Sequence, residues 1–231
     1  MTLARRGEGS ILPTLNHPHI IRTFGSEGWG TSHVEIVLNL MDGNLASLAE
    51  GLAHPRPVLA KHVLCQMLKA LDYLSVRGYV HRDVKPDNIF FVLGTGASPF
   101  PFHFRLGDFG LCEHESRIDA GAVCGTTAFM APELFPSGDV GSGRPRRRLR
   151  WQRQSHKSDV WALYVTALWV LDLNGIWYVF SGFAPTYLPP PPFFFFVPSI
   201  DHSIVLSFLF LASILDLTCD GFGRTALLSC V

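Results

Sequence analysis

The sequence predicts a protein of the α+β class, from its strand-like runs and its helical periodicities. Short runs rich in β-branched and aromatic residues, among them HVEIVLNL at 33–40 and NIFFVL at 88–93, have the length and composition of strands. Apolar residues recur every three or four positions over 58–77, which is the spacing of an amphipathic helix. The segment 160–171 is almost wholly apolar, which is typical of a helix buried on all sides.

The remaining elements follow from local composition. Residues 8–15 have the character of a helix end, and HPHIIRTF at 17–24 is a further strand-like run. The turn-rich GSEGWGTS at 25–32 separates it from the next strand. Residues 44–52 have helical spacing, and GTGASPFPFHF at 94–104 is predicted to be a surface loop or a loose hairpin.

Charge and leader composition limit the classes of partner and location. The 231 residues carry 19 basic and 19 acidic side chains, so the formal net charge is +0. Because the molecule as a whole has no field that attracts polyanions, we expect no nucleic-acid partner. The first residues contain Arg5 and Arg6 but no apolar signal core, which predicts a cytoplasmic protein.

Three motifs stand in a fixed order along the chain. They are His81-Arg82-Asp83 with Asn88, then Asp108-Phe109-Gly110, then Ala131-Pro132-Glu133. This set, in this order, is the signature H-R-D-x-x-x-x-N, D-F-G and A-P-E of protein kinases. One motif alone is weak evidence, whereas chance does not readily place three in register. The chain therefore resembles the eukaryotic protein kinases, over roughly residues 8–172.

The resemblance implies a two-lobed α+β fold with a largely helical C-lobe. The N-lobe is expected to be incomplete and to lack its first strands, as in a kinase truncated at the N-terminus. Residues 1–172 would form the kinase-like domain, with a partial N-lobe and hinge at 1–43 and the C-lobe at 44–172. The C-lobe would carry a basic insertion at 137–156. An atypical Pro/Phe-rich segment follows at 173–203, and 204–231 is an apolar tail that could hold the late C-lobe helices.

The resemblance also implies roles for the site residues. Kinases of the serine/threonine type transfer the γ-phosphoryl group of ATP to a protein Ser or Thr hydroxyl, with Mg²⁺. By resemblance Asp83 would orient the hydroxyl and accept its proton, and Lys85 would offset charge on the phosphoryl group. A lysine at that place is typical of the serine/threonine type. Thr126 would hydrogen-bond near both. Asn88 and Asp108 would hold Mg²⁺, and with it the nucleotide, through oxygen atoms.

The segment IVLNLMDGNL at 36–45 resembles the family's hinge. Asn39, Leu40 and Met41 would lie beside the adenine, and Leu38 would guard the back of its pocket.

Other matches imply structural roles. Asp159 would brace the backbone of the catalytic loop. The alternative role is that of a helix N-cap, and one side chain can serve in both. Arg224 would pair with Glu133, unless its spacing in the apolar tail is a coincidence. Glu8 would be the family's helix glutamate, with a solvated carboxylate as the alternative. The structural set is Glu8, His81, Arg82, Phe109, Gly110, Glu133, Asp159 and Arg224.

Two features depart from the family pattern. The sequence contains no G-x-G-x-x-G, and its first lysine is Lys61, within the long predicted helix. By analogy, loss of one preorganised electrostatic donor costs about 3–4 kcal/mol of barrier lowering. The alternative function is therefore a kinase remnant without turnover, either a pseudokinase or an incorrectly assigned fragment, that acts at most as a binding module.

The C-terminal half adds two alternatives on location. Six arginines crowd GSGRPRRRLRWQRQ at 141–154. Such a run is either a solvated loop or a patch for nuclear import or an acidic partner, so a nuclear location is the alternative to a cytoplasmic one. The uncharged run at 202–215 is shorter than the about 20 residues of a membrane span. A buried or interfacial helix is favoured there, and membrane association of the tail is the less favoured alternative.

Overall fold

The computed structural model describes residues 7–28, 31, 34–52, 56–94, 100–135 and 152–171. Both helices and strands are present, and the predicted α+β class is confirmed. Most of the basic insertion, the segments 173–203 and 204–231, and with them Arg224, lie outside the described residues.

The smaller lobe begins with a tight helical stretch and a two-stranded sheet. A π-helical turn at Gly7–Ile11 leads into a 3₁₀ turn at Leu12–Thr14. Strands β1 (Thr23–Glu27) and β2 (Glu35–Leu38) pair in antiparallel fashion. The predicted strand at 17–24 is wrong for its first half, which makes a turn and then one bridge from Ile20 to Leu106. Pro18 cannot donate to a strand ladder.

Three helices build the larger lobe. They are α1 (Leu45–Glu50), α2 (Pro57–Val76) and α3 (His156–Leu171). Asn44 caps α1: its side chain accepts a hydrogen bond from the Ser47 N–H, and the Ser47 hydroxyl accepts one from the Asn44 N–H. Helix α3 packs on α2 and is buried on nearly every face, as its uniformly apolar sequence predicts. No helix among the described residues is long and apolar enough to cross a membrane.

A β-hairpin places the chemistry-bearing loops at one end of a sheet. Strand β3 (Gly43–Asn44) pairs with β5 (Ile89–Leu93), and β5 pairs with β6 (Phe102–Leu106), all antiparallel. Of the surface loop or loose hairpin predicted at 94–104, residues 95–99 lie outside the described residues, and β6 begins at Phe102. Because Ile89 lies opposite Leu106, Asn88 before β5 and Asp108 after β6 emerge at the same end.

A short ladder links the catalytic loop to the next segment. Strand β4 (Tyr79–Val80) pairs with β7 (Glu113–His114), so the chain just before His81 lies against the chain that follows the Asp108 turn. The two loops that carry the kinase-like motifs are therefore held on both sides, by this ladder and by the β5–β6 hairpin.

Candidate active site

Two hydrogen bonds tie the loop that contains Asp83 to the turn that contains Asp108. The Gly107 N–H donates to the Asn88 carbonyl oxygen at 2.9 Å, and His81 Nε2 lies 3.0 Å from the Gly107 carbonyl oxygen. Gly107 immediately precedes Asp108, so the two aspartates lie in one region of the molecule. Both carboxylates act electrostatically on the buried His81 ring.

Asp83 is the centre of a dense hydrogen-bond network. Its Oδ1 accepts from Thr126 N and from Thr126 Oγ1, both at 2.8 Å. Its Oδ2 accepts from Lys85 Nζ at 2.8 Å and from Asn88 Nδ2 at 3.1 Å. Lys85 Nζ also donates to Thr126 Oγ1 at 2.8 Å, so the lysine bridges the other two side chains. The structure thus brings together four of the predicted site residues.

The network keeps the Asp83 carboxylate ionised. Burial on its own would raise the pKa of Asp83, but the hydrogen bonds from Lys85 and Thr126 and the lysine charge outweigh it and hold the pKa below its usual range. A carboxylate that stays negative near neutral pH can accept a proton from a hydroxyl group.

The backbone around this network is under tight steric constraint. Arg82 has a φ of 71°, and Gly125 has a φ of 112°. A Cβ atom on Gly125 would collide with the Arg82 carbonyl oxygen. Glycine is therefore required where the segment carrying Thr126 crosses the catalytic loop. The Arg82 side chain turns away and donates from Nε to the Leu111 carbonyl oxygen at 2.6 Å.

Asp159, near the start of α3, holds the other side of the catalytic loop. Its Oδ2 accepts from His81 N at 2.7 Å, and its Oδ1 accepts from Arg82 N at 2.9 Å. Burial raises the pKa of Asp159 to about 7, although these two backbone N–H groups and the Arg82 charge lower it.

The His81 ring is buried and neutral. Burial lowers the pKa of His81 to about 4. A neutral ring has one donor nitrogen, so Nε2 donates to Gly107, and Nδ1 is left to accept from the Asp83 N–H at 3.4 Å. The ring also meets the fully buried Phe109 edge-on, with centroids 4.8 Å apart. Gly110 is buried beside Phe109 and donates its N–H to Asp108 Oδ1 at 3.4 Å.

Asn88 and Asp108 fit a magnesium site. The Asn88 amide nitrogen is occupied by Asp83, which leaves Oδ1 without a donor among the described residues. Asp108 is exposed and has a φ of 56°, and among the described residues it accepts only the long bond from Gly110. These are the hard oxygen donors that Mg²⁺ prefers. The described residues contain no group of three or more His, Cys, Asp or Glu that could hold a metal by themselves.

Two predicted structural glutamates have a raised pKa, and for Glu133 this holds although the Lys157 charge acts to lower it. Burial and the nearby Asp108 raise the pKa of Glu8. Burial likewise raises the pKa of Glu133, whose Oε2 is enclosed without a hydrogen-bond partner among the described residues. The pair between Glu133 and Arg224 remains a prediction, since Arg224 is outside the described residues.

The predicted hinge residues connect the β1–β2 sheet to the sheet of β3, β5 and β6. Asn39 is anchored to the preceding strand region, with its N–H donating to Arg22 O at 3.0 Å and its Oδ1 accepting from Arg22 N at 2.8 Å. Leu38 and Met41 are half-buried against the core, whereas Leu40 is 93 % exposed. Leu40 therefore offers an apolar side chain to solvent between the lobes.

Sequence reasoning missed Gln154. The pattern assigned it to the end of a solvated basic run, yet only 3 % of the residue is exposed and it contacts Cys124 in the segment before Thr126. The only signal available was its place directly before a buried helix.

Comparison with known proteins decides the family. The family model for the protein kinase domain matches residues 3–179. The chain belongs to the protein kinase family. Its kinase relatives are of the eukaryotic serine/threonine type, which confirms the resemblance inferred from the motifs.

The similar kinases come from distant organisms. An Aurora kinase from Eremothecium gossypii is 30 % identical over 161 residues, which cover 69 % of this chain and 38 % of that protein. The serine/threonine-protein kinase Wnk of Drosophila melanogaster is 35 % identical over 136 residues, covering 56 % of this chain and 5 % of that protein. CBL-interacting protein kinase 29 of Oryza sativa is 34 % identical over 130 residues, which cover 55 % of this chain and 27 % of that protein. The chain thus spans well under half the length of these relatives.

A solved structure shares the fold. The crystal structure of the yeast RNA Pol II CTD kinase CTDK-1 complex contains a chain that matches with a TM-score of 0.55 and 19 % identity, over 74 % of this kinase chain and 50 % of that chain. The two-lobed kinase-like α+β fold, with a partial N-lobe, is therefore confirmed.

Proposed function

We propose that the chain is a serine/threonine protein kinase that transfers the γ-phosphoryl group of ATP to Ser or Thr hydroxyls of a protein substrate. The observation that carries the proposal is the Asp83–Lys85–Thr126 network, at the hairpin end where Asn88 and Asp108 also emerge. A proton acceptor, a cation and two oxygen ligands in one place are the parts that phosphoryl transfer needs.

The geometry supports a sequence of events at Asp83. A carboxylate has about four acceptor positions, and Thr126, Lys85 and Asn88 occupy them all in the structure described here. Lys85 must therefore leave Oδ2 before a substrate hydroxyl can bind. A lysine that turns from Asp83 to the γ-phosphoryl group frees the acceptor and brings its charge to the phosphate in one movement.

Asp83 then accepts the hydroxyl proton while the hydroxyl oxygen bonds to the γ-phosphorus. The bond from that phosphorus to the bridging oxygen breaks, and ADP leaves. Asn88 Oδ1 and the Asp108 carboxylate would hold Mg²⁺. When bound, Mg²⁺ neutralises charge on the phosphate oxygens.

A phosphotransfer assay tests the proposal. We expect transfer of labelled phosphate from ATP to serine or threonine of a general acceptor protein, and a loss of about 10²-fold or more in Asp83→Asn. Asn keeps the size of Asp83 but cannot accept the proton. Activity that is the same in Asp83→Asn would overturn the proposed role.

A second candidate is a kinase-like binding module without turnover. It is favoured by Glu8, whose pKa is raised by burial and by Asp108 and which makes no ion pair with the described residues. The two candidates differ in outcome: the remnant transfers no phosphate, and a lack of thermal stabilisation by millimolar ATP with Mg²⁺ favours it. Stabilisation together with transfer that depends on Asp83 selects the kinase.

The location of the protein belongs to the same proposal. We propose that the kinase is cytoplasmic. The alternative is a nuclear location, for which the arginine-rich run at 141–154 would serve as the import signal. Fractionation of cells into cytosol, nuclei and membranes, followed by immunoblotting, distinguishes these locations.

A further inference from the structure

Gln154 forms a two-point contact with the backbone of one residue. Its Nε2 donates to the Cys124 carbonyl oxygen at 2.7 Å, and its Oε1 accepts from the Cys124 N–H at 3.2 Å. The Cys124 thiol also lies 3.5 Å from Oε1. A glutamine that is 97 % buried would be costly without partners, and here both ends of the amide are satisfied by Cys124.

The chain between Cys124 and the site has little freedom. Gly125 follows at once, with a φ of 112°, and a Cβ atom on it would collide with the Arg82 carbonyl oxygen. Thr126 comes next and gives Asp83 two of its four hydrogen bonds. A displacement of Cys124 is therefore passed directly to the Thr126 contacts.

Gln154 and the site also share one cleft. The wall of this cleft includes Asp83, Thr126, Gln154 and Asp159. Asp159 fixes the catalytic loop from α3, and Gln154, just before α3, fixes the segment that crosses that loop. The start of α3 thus holds both halves of the network.

We propose that Gln154 is a positioning residue that, through its bonds to Cys124, sets Thr126 against Asp83 and Lys85. The two hydrogen bonds between the Gln154 amide and the Cys124 backbone form the Gln154–Cys124 clamp. The effect of Gln154 on turnover rests on the proposed kinase function, whereas the existence of this clamp does not. The experiment therefore has one arm that needs no activity.

The first arm measures alkylation of Cys124 by iodoacetamide in the native protein, followed by peptide mass spectrometry. In Gln154→Met, which keeps the length of the side chain but removes its hydrogen bonds, we expect the Cys124 rate to rise about tenfold, because two lost bonds favour local opening. Cys112 is 2 % exposed and serves as the internal reference, with an unchanged rate. An unchanged Cys124 rate in both Gln154→Met and Gln154→Ala overturns the proposal.

A matched control removes a similar clamp elsewhere. Gln66 on α2 accepts from Phe104 N at 2.7 Å and donates to Phe102 O at 3.3 Å, at the outer edge of β6. Gln66→Met should leave Cys124 alkylation unchanged. A rise as large as that of Gln154→Met would show a general loosening of the fold and would overturn the proposal.

The second arm measures kcat and KM for ATP separately. In Gln154→Met we expect kcat to fall about tenfold with little change in KM for ATP, because Thr126 loses its place against Asp83 and Lys85. An unchanged kcat, or a loss that appears in KM for ATP with kcat unchanged, contradicts the positioning role. If the wild type transfers no phosphate, the kinase proposal fails, and the alkylation arm still decides whether the clamp exists.

Discussion

Thr126 contributes to the site through both its N–H and its hydroxyl group. The hydroxyl donates to Asp83 and accepts from Lys85, so it aligns the acid and the cation with each other. We expect Thr126→Val, which replaces the hydroxyl with a methyl group, to lower kcat by about ten- to a hundredfold.

In Thr126→Val the acid limb of the kcat–pH profile should also move to higher pH, because a hydrogen bond that lowers the pKa of Asp83 is lost. Thr126→Ser keeps the hydroxyl and is the control, with activity near that of wild type. Equal kcat values for the valine and serine variants would contradict the role of the hydroxyl group.

Gly125 tests the steric constraint independently of activity. We expect Gly125→Ala to lower the free energy of unfolding by at least about 2 kcal/mol, because its φ is positive and the added Cβ meets the Arg82 carbonyl oxygen. Urea denaturation measures the change. Gly25→Ala in β1 is the control, since nothing lies within 4 Å of its added Cβ, and it should be near neutral.

At this scale the motif spacing predicted which residues the structure brings together. Asp83, Lys85, Asn88 and Thr126 share one network, although they are spread over more than forty positions. Gln154 could not be predicted in the same way. Its contact with Cys124 joins residues that are 30 positions apart in the sequence. A local sequence pattern does not show which distant residues meet in the fold.

At the scale of elements, α3 is the support on which the catalytic loop rests. Its side chains fill the centre of the larger lobe, and Leu163 is fully buried. Leu163→Ala should destabilise the protein by about 2–5 kcal/mol, since it removes buried methyl groups and leaves a cavity. Val76→Ala on α2, where the valine is 76 % exposed, is the control and should change stability little. Equal losses for both variants in urea denaturation would contradict the central position of α3.

Helices were easier to predict than the first strand. Periodicity over 58–77 gave α2 within one residue at each end, because Pro57 and the turn after Val76 mark its limits. The run at 17–24 was misplaced because Pro18 interrupts the ladder while the apolar pattern continues past it. Strand β1 instead takes in Gly25, Ser26 and Glu27, whose composition favours a turn. Pairing with β2 decides the outcome there, and local propensity does not.

At the scale of the whole molecule, buried histidines set a dependence on pH. His19 packs against β6, with His103 and His17 beside it and its Nδ1 3.0 Å from the Phe104 carbonyl oxygen. Burial lowers the pKa of His19 to about 4, against 6.5 for the free side chain. Between these values the unfolded chain binds a proton that the folded protein does not, so stability is lost as the pH falls.

His19→Gln removes this proton uptake while it keeps an amide that can donate to Phe104. We expect the slope of unfolding free energy against pH to decrease, between pH 6.5 and 4, by up to about 1.4 kcal/mol per pH unit. Chemical denaturation at a series of pH values measures the slope. Parallel curves for wild type and variant would show that His19 does not titrate differently on folding.

We propose that the catalytic loop and the turn at Asp108 form one site for magnesium and a nucleotide phosphate. Isothermal titration of ATP with and without Mg²⁺ tests it most directly. Asp108→Asn is the matched variant, because Asp108 is exposed and Asn tolerates a positive φ. We expect Mg²⁺ to strengthen ATP binding by the wild type, and we expect this gain to be lost in Asp108→Asn. Equal ATP affinity with and without Mg²⁺ in the wild type would contradict it.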